Sequence, residues 1–99
     1  NVRELAYQDS LIRKIKRLLP GCEVIKPDPK RKQGMLDILI LHGCRWGMLE
    51  VKRDKNAPFR PNQEYYIERY GRMSFAAVIH PENEKEVLAQ LLAALGAEG

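Results

Sequence analysis

The part of this sequence able to do chemistry is one aspartate in an apolar run, separated by twelve residues from a Glu-x-Lys triplet. The aspartate is Asp37, within Met35-Leu36-Asp37-Ile38-Leu39-Ile40-Leu41; the triplet is Glu50-Val51-Lys52, closing Trp46-Gly47-Met48-Leu49-Glu50-Val51-Lys52. Asp37 is the sole charge of its run, and a carboxylate withdrawn from water needs a partner. In an extended segment successive side chains alternate faces, so Glu50 and Lys52 point one way and Val51 the other. Two carboxylates and an ammonium aimed at one small space suit phosphodiester hydrolysis. That reaction needs a nucleophilic water, charge relief at a pentavalent transition state and help for the departing oxygen, which hard divalent cations held by carboxylates supply. Asp37 and Glu50 can hold one Mg²⁺ or Mn²⁺, with the Val51 backbone carbonyl as a neutral oxygen ligand between them. Lys52 can orient or deprotonate the water, or stabilise phosphate charge; the sequence leaves these roles open. The structural alternative, an Asp37–Lys52 ion pair across two strands, would leave Glu50 crowding a second acid beside the first.

The elements that must position these groups follow from periodicity and turn chemistry. From Arg3 to Leu19 apolar residues recur at helical spacing, and Pro20-Gly21 stops the segment. Glu4, Gln8, Leu11 and Ile15 share its inward stripe, so Glu4 stands off the basic outer face. An acid in the first turn also complements the helix dipole. Residues 22–26 form a short strand, and 27–34 a loop rich in turn residues and positive charge. Met35–Leu41 and Arg45–Lys52 read as a hairpin around His42-Gly43, which sets Asp37 opposite about Met48, within one pair of Glu50. A helix follows from Pro61 to Tyr70, ended by Gly71. Ser74–Ile79 is a buried strand, and the helix before it implies parallel pairing with the Glu-x-Lys strand through a right-handed crossover. Pro81 opens a last helix, with Asn83-x-x-Glu86 resembling a capping box and Val87, Leu88, Leu91, Leu92 and Leu95 on its apolar face. The predicted order is α-β-β-β-α-β-α, an α/β fold with a mixed sheet flanked by helices.

Ninety-nine residues, 44% hydrophobic, suffice for a single domain spanning 1–99 and one core. No apolar stretch approaches the roughly 20 residues of a membrane span, and the N-terminal segment has no signal-like apolar centre, so a cytoplasmic protein is expected. Cys22 and Cys44 lack metal-site spacing and read as free thiols. Residues 1–72 hold 16 of the 17 Lys and Arg against 9 acids, and a basic body with an acidic tail suits a polyanionic ligand. Lys30, Arg31, Lys32, Arg53, Lys55 and Arg60, on both sides of the acidic constellation, are the candidate contacts to a phosphate backbone. His42, His80 and Trp46 are placed outside the site, and Tyr65, Tyr66 and Tyr70 at helical spacing are read as core and rim.

At these residues the chain resembles the PD-(D/E)XK nuclease superfamily, whose shared core has the same αβββαβ order. The match is Gly34-x-x-Asp37, twelve residues, then Glu50-Val51-Lys52. Within the superfamily it is most similar to the small VRR-NUC type, found alone in phages and as the C-terminal nuclease of larger repair proteins. Glu4 occupies the place of the first-helix glutamate, Gln63 after Arg60-Pro61-Asn62 looks like the P-x-Q at the start of the second helix, and Gly71 precedes the last core strand. Met35-Leu36 stand where a proline often precedes the aspartate, and Val51-Lys52-Arg53 is the nearest relic of the eponymous Val-Arg-Arg. The resemblance implies that Glu4, Asp37, Glu50 and Lys52 form the metal and catalytic set, with Gln63 ordering the site or contacting DNA. It also implies a restriction-endonuclease-like fold with an extra C-terminal helix, and a phage or bacterial origin.

The function expected on these grounds is a Mg²⁺- or Mn²⁺-dependent DNA endonuclease. No groove-reading helix is evident, so selectivity for branched or four-way-junction DNA is expected over a long base sequence. Holliday-junction resolvases, which isolated VRR-NUC domains resemble, work as dimers, and a homodimer is expected here. A helicase or replication partner is compatible with the chain but no residue argues for one. The alternatives are a degenerate nucleic-acid-binding module that cuts nothing, and a nuclease acting on RNA or nicked DNA.

Overall fold

The computed structural model describes residues 2–96. The elements run α1 (Val2–Leu18), β1 (Glu23–Ile25), β2 (Ile38–His42), β3 (Arg45–Val51), α2 (Gln63–Met73), β4 (Phe75–Ile79) and α3 (Glu84–Leu95), the order the sequence predicts. The four strands form one sheet in the order β1-β2-β3-β4. Both β1–β2 and β2–β3 are antiparallel, and β3–β4 is parallel, as a crossover through α2 requires.

Alternation along the strands divides the apolar residues between two cores. Ile38, Ile40, Leu49, Val51 and Ile79 face α1 and α3, packing with Leu11, Ile15, Leu88, Leu91 and Leu95. The opposite face, through Leu39, Trp46, Met48 and Ala76, packs on Leu36 and on Tyr66 and Tyr70 of α2. Trp46 meets Tyr70 edge-on at 6.2 Å and is partly buried against this second core. Parity therefore aims Glu50 and Lys52, two and four residues after Met48, at the α2 side.

Five local expectations are corrected. The hairpin loop is Gly43-Cys44 rather than His42-Gly43: His42 pairs with Arg45, and Gly43 (φ 61) takes the first loop position, where a two-residue II′ turn places glycine. The register shifts by two residues, which keeps every side chain on its predicted face and carries Asp37 from Met48 to the level of Glu50. β2 starts at Ile38, so Met35 to Asp37 precede the strand; Leu36 is nevertheless buried, against the α2 side, which is why the apolar run reads as strand. The second helix starts at Gln63, not Pro61, and runs through Gly71 to Met73, where the Ser74 N–H bonds to the Tyr70 carbonyl. Asn83 caps α3 by position but makes no capping box: its side chain accepts from the His80 N–H at 2.9 Å and donates to the Val78 carbonyl at 3.1 Å, tying the helix to the end of β4.

Among the described residues no helix is long and apolar enough to cross a membrane.

Candidate active site

Beyond the Ile38–Leu49 pair the strands β2 and β3 part, and the gap is bridged by a side chain. Asp37 Oδ2 accepts the Val51 N–H at 2.8 Å. Asp37 is thus fixed from just outside β2 against the C-terminal end of β3, next to Glu50. The parallel neighbour β4 holds the other edge of β3, with the Lys52 N–H bonded to the Ile79 carbonyl at 2.9 Å.

Glu50, Lys52 and Gln63 form a buried polar cluster, each with 5% or less of its surface exposed. Gln63 opens α2 and spans the other two: its Nε2 donates to Glu50 Oε2 at 2.8 Å, and its Oε1 accepts from Lys52 Nζ at 2.9 Å. The same oxygen accepts the Arg60 N–H at 2.7 Å. Lys52 Nζ also donates to the Pro58 carbonyl at 3.0 Å and lies 3.4 Å from Glu50 Oε2. Phe59 covers it, with its ring centroid 5.4 Å from Nζ. Pro58 and Phe59 are components that sequence reasoning missed; a backbone carbonyl and a loop phenylalanine carry no signature by which they are found.

Glu50 Oε1 is buried without a donor. Burial foremost, then the negative charge of Asp37, push the Glu50 carboxyl up to about 8, against the pull of the Lys52 ammonium. Two carboxylates facing one another with unsatisfied lone pairs call for a cation or a shared proton. The donor set of Asp37, Glu50 and the adjacent Val51 carbonyl fits a hard, oxygen-seeking divalent ion.

Glu4 stands apart from this pair in one respect. The first half of α1 lies over the same end of the sheet: Asp9 pairs with Lys26 just after β1, and the Tyr7 hydroxyl donates to Glu84 at the start of α3 at 2.8 Å. Glu4 is half-buried in the first turn there, and Gln8 one turn on is buried. Among the described residues no three His, Cys, Asp or Glu side chains gather closely enough to hold a metal by themselves, so Glu4 does not close a three-acid cluster with Asp37 and Glu50.

The predicted phosphate contacts fall on two loops that meet beside the site. Lys30, Arg31, Lys32, Arg53, Lys55 and Arg60 are all exposed. The loops touch at Gly34 (φ 86), where a Cβ would come 2.5 Å from the Pro61 carbonyl oxygen and 2.6 Å from Asn62 Cβ. Asn62, itself at φ 73, donates to the Gln33 carbonyl at 3.3 Å. Lys32 Nζ lies 5.4 Å from the Tyr66 ring centroid. His42 and His80 take no part: His42 Nδ1 bonds with the Leu95 carbonyl, and His80 Nδ1 accepts the Glu82 N–H. Cys22 and Cys44 are free thiols, half-buried and exposed respectively.

No protein-family model matches the sequence, and no curated protein matches it either. A solved structure described as a "VRR_NUC domain" is similar with a TM-score of 0.70 at 21% identity, over 88% of this chain and 95% of that one. At that identity the likeness is one of fold. This chain has the restriction-endonuclease-like fold seen in a VRR-NUC domain.

Proposed function

We propose that the protein is a VRR-NUC-type nuclease, a divalent-metal-dependent DNA endonuclease that hydrolyses phosphodiester bonds in branched DNA. The observation that carries this reading is Glu50 Oε1, buried without a donor beside Asp37 at the end of a strand whose next polar residue is a buried lysine. Asp37 and Glu50, with the Val51 carbonyl, would hold Mg²⁺ or Mn²⁺, and such a cation supplies charge relief at a phosphate.

The remaining work belongs to the chain itself. Lys52 Nζ, hydrogen-bonded to Gln63 Oε1 and the Pro58 carbonyl and 3.4 Å from Glu50 Oε2, is held in place beside the acidic pair. Its role in this reading is to stabilise negative charge on the reacting phosphate. Gln63 orients Glu50 and Lys52 together, as outer-sphere partners orient ligands in metal sites. Lys30, Arg31, Lys32, Arg53, Lys55 and Arg60 supply attraction to the phosphate backbone without reading bases, which favours recognition by DNA shape. A second copy of the chain would provide the second active site that symmetric cutting of a four-way junction demands.

The test is incubation of wild type and Asp37→Ala with labelled linear duplex, single-stranded, flapped and four-way-junction DNA, in Mg²⁺, Mn²⁺ or EDTA. Cleavage that needs metal and is lost in the variant is expected, with branched DNA cut fastest. Binding without cutting of any DNA would contradict it and favour RNA as substrate or a non-cutting module. A strict monomer with and without junction DNA would sink the paired-cut version alone.

A further inference from the structure

Next to the acidic pair, and sharing Asp37 and Gln63 with it, lies a cleft of about 300 Å³. Asp37 and the buried Gln63 line it on the inside, and the exposed Lys30, Gln33 and Arg60 line its mouth. The two loops touch at Gly34, closer than any side chain would allow, which shuts the cleft along that side and makes it a slot rather than an open groove. The Asn62-to-Gln33 hydrogen bond holds the same two walls together, so the slot is preformed. Its cations are available: Arg31 and Arg53 lie beside Asp28 and Asp54, whereas Lys30 and Arg60 form no ion pair among the described residues.

Size and charge together narrow the occupant. The volume stands at the lower end of small-ligand pockets, roughly 300–1,000 Å³, which suits one nucleotide. A base-paired duplex, with grooves alone about 6 to 12 Å wide, does not enter such a slot. We propose that the cleft is a subsite for a single unpaired nucleotide flanking the scissile phosphodiester, with Lys30 and Arg60 holding its phosphate and the Gln33–Gly34 wall enclosing its sugar and base. This rests on the nuclease reading and specifies its substrate: because the cleft shares Asp37 and Gln63 with the site, the nucleotide beside the cut must leave the helix. Preference for branched DNA then arises from the ease of unpairing at a branch, where stacking has already been lost.

Two measurements test it, one of them without cleavage. A single-stranded trinucleotide titrated in Ca²⁺ is expected to shift the backbone amide resonances of Gly34, Met35 and Arg60, and Arg60→Ala is expected to weaken its binding about tenfold. Shifts confined to other surfaces would overturn the subsite. In cleavage, a duplex with one unpaired nucleotide at the cut is expected to be processed at least about tenfold faster than its fully paired counterpart. Gln33→Trp, an exposed position whose ring would fill the slot, is expected to weaken trinucleotide binding at least about tenfold and to abolish the preference for the unpaired nucleotide, slowing both substrates. Equal rates on both substrates in the wild type would refute the proposal. If the wild type cuts no DNA at all, the nuclease reading fails, and the trinucleotide titration decides the subsite by itself.

Discussion

The Asp37 carboxylate takes the Val51 main-chain N–H at 2.8 Å, so a side chain closes the ladder between β2 and β3 at the point where the strands part. One carboxylate oxygen is committed to holding Asp37 in place, and the other is available beside Glu50. Asp37→Asn keeps an oxygen for the Val51 N–H and removes the charge. It is expected to abolish cleavage while leaving DNA binding equal or tighter, because a carboxylate near phosphate repels it when no cation intervenes. Electrophoretic affinity and cleavage assays on one preparation check both halves, and loss of binding with retained cleavage would contradict the assignment.

The Glu50 carboxyl makes stability depend on pH in a defined direction. Its folded-state value, about 8, lies above the 4.5 of an unperturbed glutamate, so the folded protein holds the proton longer than the unfolded chain does. Stability from this group is fully present below the unperturbed value and declines as pH rises towards 8. Melting temperatures in EDTA are expected to fall across that window. Added Mn²⁺ is expected to restore them increasingly as pH rises, since a cation competes with the proton for the same oxygens. A flat profile in EDTA would contradict the burial of an ionisable Glu50.

In the proposed site Gln63 would act as a positioning residue, and its removal separates position from charge. Gln63→Ala deprives Glu50 and Lys52 of their shared partner inside a buried cluster, at an expected cost of about 1–3 kcal/mol in denaturant unfolding. Activity is expected to fall about 10- to 100-fold, the range seen when outer-sphere partners of metal ligands are removed. Gln63→Glu retains the bond to Lys52 but sets a third carboxyl against Glu50. It is expected to move the pH dependence of cleavage upward, a change that loss of packing alone would not produce.

Lys32 stands in the basic loop, away from the acidic pair and over the Tyr66 ring. Lys32→Ala is expected to weaken DNA binding uniformly across sequences and to lower the slope of log affinity against log salt by about one. Single-turnover cleavage of bound DNA is expected to be unchanged. An unaltered salt slope would remove this loop from the interface.

Gly34 is required for two independent reasons, its φ of 86° and the approach of Pro61 and Asn62. Gly34→Ala is expected to destabilise the fold by more than about 1 kcal/mol, through both the left-handed backbone and the clash. Thermal melts of the variant check this.

The order of elements was readable because each apolar run keeps one period, 3.6 in α1 and α3 and alternating in β3. The parity of β3 also carried over, and with it the expectation that Glu50 and Lys52 share a face. The hairpin register was less secure: assigning His42 to the loop displaced the pairing by two residues, an error invisible to facing rules because it preserves the alternation. Gly71 reads as a stop from its type alone, yet α2 continues past it, with the Ala76 carbonyl 3.9 Å from where its Cβ would stand. Gln63 was marked only through its likeness to the P-x-Q of VRR-NUC domains; its partners Glu50 and Lys52, eleven or more residues back, become visible only when the crossover is closed. The Pro58 carbonyl, the Phe59 ring and the Gly34 contact belong to loops brought together by tertiary packing, for which local pattern holds no record.

Asp37, Glu50, Lys52 and Gln63 all lie upstream of the strand that completes their support. The segment from Asp37 to Gln63 leaves the ribosome before β4, whose Ile79 carbonyl receives the Lys52 N–H. A nascent chain halted at α2 would carry every one of these side chains and yet lack the strand that holds the far edge of β3. On the nuclease reading, competence would therefore be acquired late in synthesis, when the parallel strand docks, and a truncated product of interrupted translation would be an inert fragment.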